Sequence, residues 1–441
     1  MKKKKKTSGY SLTTLIIVFS FFNSLQGQDL NMKYSWSYPI DEHGTLVLEN
    51  YNCDVEIIHS NSGKIDFEME IIAEGGSEED INIIDSYFKN YKFNASSGKV
   101  ELSTIFYKSE TKRSNTKIIL DNNETVTFNK IHRKAYLKIP KYIKLEISTK
   151  YSDLDIPDVE KIELNSYKDK IEAGNIKLPA VINAKYSEIT FHDISDCQLQ
   201  MYNCELEAHS TGILELKSKY SRYNIADSKD ITIDCYNDKY KFKNTGNVHF
   251  SGKYSDFISL SSGDITIDAY KCYFESGDIK SLKIKSTKYS EYRFASAINL
   301  VLTDSYNDKF VIDKTGKIEV GNSKYSEYLH NTLEKSFSIS DGYKNKITIN
   351  KTSQKFSYFD TNGKYDKIRI GISSDIPLKL DIETKYGSLN YNNASFETKS
   401  LIKDDEYYKL NALRYTETEN MPLVKIRGYK EDLSIIDIIV K

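Results

Sequence analysis

The chain has 441 residues, 28% of them charged, and a net charge of −1, so bulk charge points to neither a nucleic-acid partner nor a strongly acidic or basic one. Tyrosine (34) far outnumbers proline (6) and tryptophan (1). Ile, Val, Tyr, Phe and Thr alternate with polar residues through most of the length, which is the composition of strands.

The first segment runs from Met1 and five lysines through the apolar stretch Leu12 to Leu25 and reaches small Gly27. This pattern predicts a secretory signal peptide over 1–27, with Gln28 as the new N-terminus. An uncleaved anchor is the alternative, although the stretch is short for a membrane span. No cysteine lies beside the cleavage point, and no later segment is apolar enough to cross a bilayer as a helix. The expectation is export to the periplasm, the outer-membrane surface or the medium.

Residues 28–144 predict one rung of a repeat followed by an insertion or cap. The stretch 46-LVLENYNCDVEI-57 carries the repeat offsets, 65-KIDFEMEII-73 and 99-KVELSTIF-106 alternate as strands do, and Lys108 to Glu124 is polar. A short helix is expected after Ser77, with Ile81, Ile84 and Phe88 on one side and a Ser77/Asp80 capping box.

Residues 145–349 form a regular array. The apolar residue after each tyrosine phrase recurs every 17 to 19 residues from Leu154 to Ile347, and two further apolar columns lie upstream, from Ile147 to Ile339 and from Leu145 to Phe337. Spacing within each half-unit is two, the strand period, and parity switches across the tyrosine phrase, so the chain bends there. A turn of roughly five residues, such as Ala226 to Asp230 or Lys243 to Asn247, closes each unit. The fold class is all-β, a parallel β-helix (β-solenoid) with one rung per 17–19 residues and irregular capping segments at both ends. The alternative is an antiparallel β-meander. Residues 350–441 complete it with irregular rungs: 380-LDIETKYGSLNY-391 repeats the frame and 424-VKIRGYKEDLSI-435 closes the chain.

The tyrosine phrase alternates between Lys-Tyr-Ser-acid, as in 253-KYSD-256, and a form with tyrosine one residue earlier, as in 236-YNDK-239. Its last residue, the column just before the apolar ladder, mostly alternates in sign from Asp153 to Lys346, which spares stacked rungs a like-charge repulsion. The phrase therefore specifies register, and its lysines can sit near aromatic rings.

The phrases 139-IPKYIKLEISTKYSDLDI-156 and 376-IPLKLDIETKYGSLNY-391 resemble the "putative adhesin" β-solenoid family of bacterial envelope proteins, an adhesin-head-like domain of unknown function. The resemblance covers most of the mature chain. It implies an exported, adhesin-like envelope protein, linked to polysaccharide contact, and carries over no catalytic residues. Tyrosine and lysine stand here where glycine is commoner in the family.

Carboxylates and lysines are spread over every rung, so no cluster marks an enzyme site and no cofactor is expected. His192 and His209 fall at equivalent positions of adjacent rungs and are the metal-ligand candidates, though surface histidines are the simpler reading. Cys53, Cys197, Cys204, Cys235 and Cys272 are an odd set; Cys204 and Cys272 lie about 19 Å apart by rung spacing. Free thiols are expected, and Cys197 could pair with Cys204 only across a sharp corner. The candidate binding residues are Tyr151, Tyr186, Tyr220, Tyr254, Tyr289 and Tyr325, whose alternative role is to shield the ladder beneath. The expected function is a non-catalytic adhesin-like or structural element binding glycan or an envelope protein. A polysaccharide lyase or hydrolase on the same scaffold is the alternative.

Overall fold

Leu214, Leu216 and Ser218 are buried, then Ser221, Tyr223 and Ile225, then Ser228, and the next rung opens at Ile231. Inward spacing is two along each strand and three at each of three bends, so one rung of 17 residues closes on itself around its own side chains. Repeating that rung gives an all-β chain built as a parallel β-solenoid of about 13 turns in the computed structural model, which describes residues 29–438. Pairing is parallel and in register, as in Leu214↔Ile231 and Ile231↔Val248, which rules out the meander. The expected signal peptide lies outside the described residues.

Two units, Met1–Gln198 with Cys204–Glu207 and Leu199–Asn203 with Ala208–Lys441, are each built on this rung. In the first, Thr45–Tyr51 and Asp54–Ser60 make one rung that pairs in parallel with Lys144–Lys150 and with Lys130–Pro140. An insertion fills the space between. Lys64–Glu74 pairs antiparallel with both Asp29–Pro39 and Lys130–Pro140, and the helix α1, Glu78–Asn90, buries Ile84 and Phe88. Asp80 N donates to Ser77 Oγ at 3.1 Å and Ser77 N donates to Asp80 Oδ2 at 2.9 Å, the capping box expected from the sequence. Phe88 stacks on Tyr34 at 4.6 Å and meets Phe106 at 4.8 Å.

In the second unit the five-residue turn expected at Ala226–Asp230 proves to be largely strand. Arg222–Ser228 pairs with Lys239–Thr245 as far as Ser228↔Thr245, and from Asp256–Tyr270 onward one strand spans nearly the whole rung. The reason is a further inner column. Thr211 Oγ1 donates to Ser228 Oγ and Thr245 Oγ1 to Ser262 Oγ, both at 2.7 Å, and the column continues as Ile279, Ala297, Thr315 and Leu333, all buried. Hydroxyls bonded to one another occupy an interior position at little cost. The rung lengthens from 17 to 19 residues through bulges, for example between Ile267 and Asp268.

Inside the second unit Phe274, Tyr292, Phe310 and Tyr328 stack at 4.8–5.1 Å with planes within 7°. The buried tyrosines reach the corner with their hydroxyls: Tyr240 donates to Asp238 at 3.0 Å, and Tyr223 to Ser218 at 2.6 Å.

The far end departs from chain order. Tyr358–Lys364 pairs not with the next repeat in sequence but with Leu423–Tyr429, which in turn pairs with Leu378–Lys385, all in parallel. Lys367–Ser373 likewise pairs with Asp432–Ile438, and that strand with Ser388–Asn390. The last rung of the sequence is thus inserted before the one preceding it. A hairpin of Glu397–Lys403 and Tyr407–Arg414 then adds antiparallel strands to Leu378–Lys385.

Candidate functional site

Each tyrosine phrase is a corner with one residue in the left-handed conformation. In Lys-Tyr-Ser-acid rungs that residue is the tyrosine itself: φ is 58° at Tyr151, 59° at Tyr186, 60° at Tyr220, 59° at Tyr254, 59° at Tyr289 and 60° at Tyr325. In the alternate rungs it is the residue after the tyrosine, Lys168 (56°), Asn237 (58°), Lys271 (52°), Asn307 (54°) or Lys344 (54°). The amide of the corner residue still joins the ladder, since Tyr254 N donates to Tyr270 O at 2.9 Å and Lys271 N to Lys288 O at 2.8 Å. The backbone bends without orphaning a donor.

The one-residue offset between the two phrase types thereby brings the tyrosines of each unit onto one ridge. In the first unit Tyr51, Tyr151, Tyr167 and Tyr186 follow one another at 5.5–5.6 Å, edge to face. In the second the run from Tyr202 and Tyr220 through Tyr254, Tyr270 and Tyr289 to Tyr343 and Tyr365 keeps centroids 5.4–5.9 Å apart with planes crossing at 65–81°. It closes over the inserted rung, Tyr365 to Tyr429 to Tyr386, at 5.6 Å. The six candidate tyrosines each remain 42–44% exposed, so about half of each ring faces water.

Lysines complete the ridge. Lys271 Nζ lies 5.7, 5.5 and 5.9 Å from the rings of Tyr254, Tyr270 and Tyr289, and Lys344 repeats this over Tyr325, Tyr343 and Tyr365 at 5.7, 5.3 and 5.9 Å. Lys168 and Lys430 sit over two rings each. The expected contact of ammonium with ring is therefore made by the lysines of the alternate phrase.

Beneath the ridge lies a buried polar corner. Asp308 accepts from Ser290 N at 2.8 Å, Ser305 Oγ at 2.8 Å and Tyr306 N at 2.9 Å, while its own amide donates to Ser326 Oγ at 3.2 Å. Burial, opposed by these donors, pushes its carboxyl up to about 6, and Asp366 likewise. Glu431 in the inserted rung has no hydrogen-bond partner for either carboxylate oxygen. Burial first and the charge of Asp366 second push it up to about 8.

All five cysteines are buried thiols outside any disulfide. Burial raises the Cys53, Cys197 and Cys235 thiols to about 12, which leaves them unreactive. His192 is exposed, with Nδ1 3.0 Å from both Asn175 Oδ1 and Asp193 Oδ2. His209 is exposed and belongs to the other unit.

A groove of about 340 Å³ in the first unit escaped the sequence reading. Asp54, Glu56, Asp153, Asp155 and Glu172 line it together with Lys134, Lys170 and Tyr136. These residues come from three rungs and the strand Lys130–Pro140, so nothing local in the sequence marks them. Asp54 is 3.4 Å from His132 Nε2, and Lys170 pairs with Glu172 at 3.0 Å. The Asp54 side chain is 43% exposed and that of Glu172 63%, so both lack the apolar seclusion by which a general acid is made. Among the described residues no helix is long and apolar enough to cross a membrane.

No family model matches the chain, and no curated protein does. A solved structure, that of a "putative cell adhesion protein" from Clostridium sporogenes, matches 93% of this chain and 100% of its own at 11% identity with a TM-score of 0.15. A likeness at that score carries no argument, and the β-solenoid rests on the strand pairing of the chain itself.

Proposed function

We propose that this chain is an exported, non-catalytic adhesin-like or structural element of the cell envelope that binds glycan or an envelope protein along its tyrosine ridge. The observation that carries this reading is the ridge itself, one ring per rung in continuous edge-to-face contact, with the tyrosine of every second rung 42–44% exposed. Exposed aromatic surface of that extent seldom occurs without a partner. The test is a glycan array and an envelope pull-down with the mature protein and with a Tyr254→Ser, Tyr289→Ser, Tyr325→Ser variant of unchanged circular dichroism. Loss of the captured ligand is expected; a folded variant that retains every ligand overturns the reading.

The carboxylate-lined groove is the specific observation favouring a second reading, a polysaccharide-active enzyme. Release of reducing or unsaturated ends from polysaccharides, abolished by Asp54→Asn or Asp153→Asn, would establish it.

A further inference from the structure

Each of the twelve corners of the second unit carries one tyrosine on the ridge, and the residue beside it is lysine at nine and asparagine at three. None is a carboxylate. In a chain of net charge −1 this is a strong local segregation of charge. Lysines off the ridge find acids across rungs, as Lys346 does with Glu327 at 2.7 Å and Lys309 with Glu291 at 3.6 Å. Among the described residues no ridge lysine lies within 4.0 Å of a carboxylate oxygen; Lys271, Lys344 and Lys430 are held over rings instead. Their charge is oriented but not neutralised, and a row of such charges favours an anionic partner.

The rings specify its shape. Neighbouring planes cross at 65–81°, so rings of one orientation recur at every second rung, about 10 Å apart. That advance is close to two sugars of an extended, ribbon-like polysaccharide. A nucleic-acid base stacked between two rings would need roughly 7 Å between them, two van der Waals contacts. The rings are 5.4–5.9 Å apart and already fill one another's faces.

We infer that the ridge of the second unit binds linear, carboxylate-bearing polysaccharide, its uronate groups meeting the lysines while sugar faces lie along the tyrosines. This rests on the proposed ridge-binding function and narrows its ligand class. The test titrates the mature protein with polygalacturonate and with alginate, against a neutral linear mannan and single-stranded DNA, by calorimetry at low and high salt. A variant with Lys271→Gln, Lys288→Gln, Lys324→Gln and Lys344→Gln keeps every tyrosine, and the corresponding lysine-to-arginine variant controls for folding. The expected result is polyuronate binding that weakens with salt, falls about ten-fold or more in the glutamine variant and survives in the arginine variant. Equal binding of mannan, or no change in the glutamine variant, overturns the anionic assignment while leaving a glycan ridge in place. Tighter binding of DNA than of either polyuronate overturns the polysaccharide class. Absence of binding to any of them overturns both this inference and the glycan-binding form of the function on which it rests.

Discussion

A tyrosine at φ near +60° is held in a conformation that costs an ordinary residue roughly 1–2 kcal/mol. Here the cost is offset at the same position. Tyr289 has ring neighbours on both sides, Tyr270 at 5.9 Å and Tyr306 at 5.5 Å, and an ammonium at 5.9 Å. Each ring contact contributes about 0.5–1.5 kcal/mol and the cation about 0.5–1. Tyr289→Asn removes the ring but suits the left-handed backbone, whereas Tyr289→Val removes the ring and clashes there. Denaturant unfolding should therefore show the valine variant about 1 kcal/mol less stable than the asparagine variant. Equal stabilities would mean that the backbone strain is not real. The tyrosines and their two phrase types were plain in the sequence. Their left-handed backbone was not, because tyrosine and lysine seldom adopt it and glycine, which would have announced it, never occupies the left-handed position of these corners.

Among strands and corners, the inner polar column decides how stability responds to pH. Asp308, Asp366 and Glu431 hold protons in the folded protein at a pH where the unfolded chain has released them. Raised carboxyls of this kind stabilise the fold fully below about pH 4, and the contribution is lost as pH rises through 6 to 8. The melting temperature should fall between pH 5 and pH 8.5. Glu431→Gln, which removes the charge facing Asp366, should flatten that fall and stabilise the protein at pH 8 by about 2–4 kcal/mol. A variant with the parental pH profile would show that Glu431 is not protonated in the fold. The three apolar columns were legible by their period of two. The column of Ser228, Thr245 and Ser262 was not, because serine and threonine beside asparagine and glycine signal a turn unless a partner one rung away is known.

For the molecule as a whole, the inserted last rung is the feature that chain order hides. The sequence did contain its signature. Lys364-Tyr365 and Lys385-Tyr386 are two phrases of the same type in succession, a breach of the alternation kept from Tyr51 onward, and inserting Tyr429-Lys430 between them restores it in space. The groove at Asp54 and Asp153 left no comparable trace, since a charge's neighbours across rungs appear only once register and insertions are known. A chain ending at residue 415 lacks the strand Leu423–Tyr429, which joins Tyr358–Lys364 to Leu378–Lys385, and the strand Asp432–Ile438, which joins Lys367–Ser373 to Ser388–Asn390. Limited proteolysis of this truncation should remove residues 378–414 and leave the rungs from 214 to 352 protected. Protection extending through residue 414 would show that the outer strands hold without their inserted neighbour.

The insertion also orders events in time. Rungs before it can be laid down as the chain emerges, each on the last, but Tyr358–Lys364 keeps an open parallel edge until Leu423–Tyr429 arrives. Closing that edge early with Leu378–Lys385 would set like phrase on like, lysine on lysine and tyrosine on tyrosine. A chain cut short before residue 423 therefore carries a ready template for a strand from another molecule. Docking of Leu423–Tyr429 ends that capacity to aggregate.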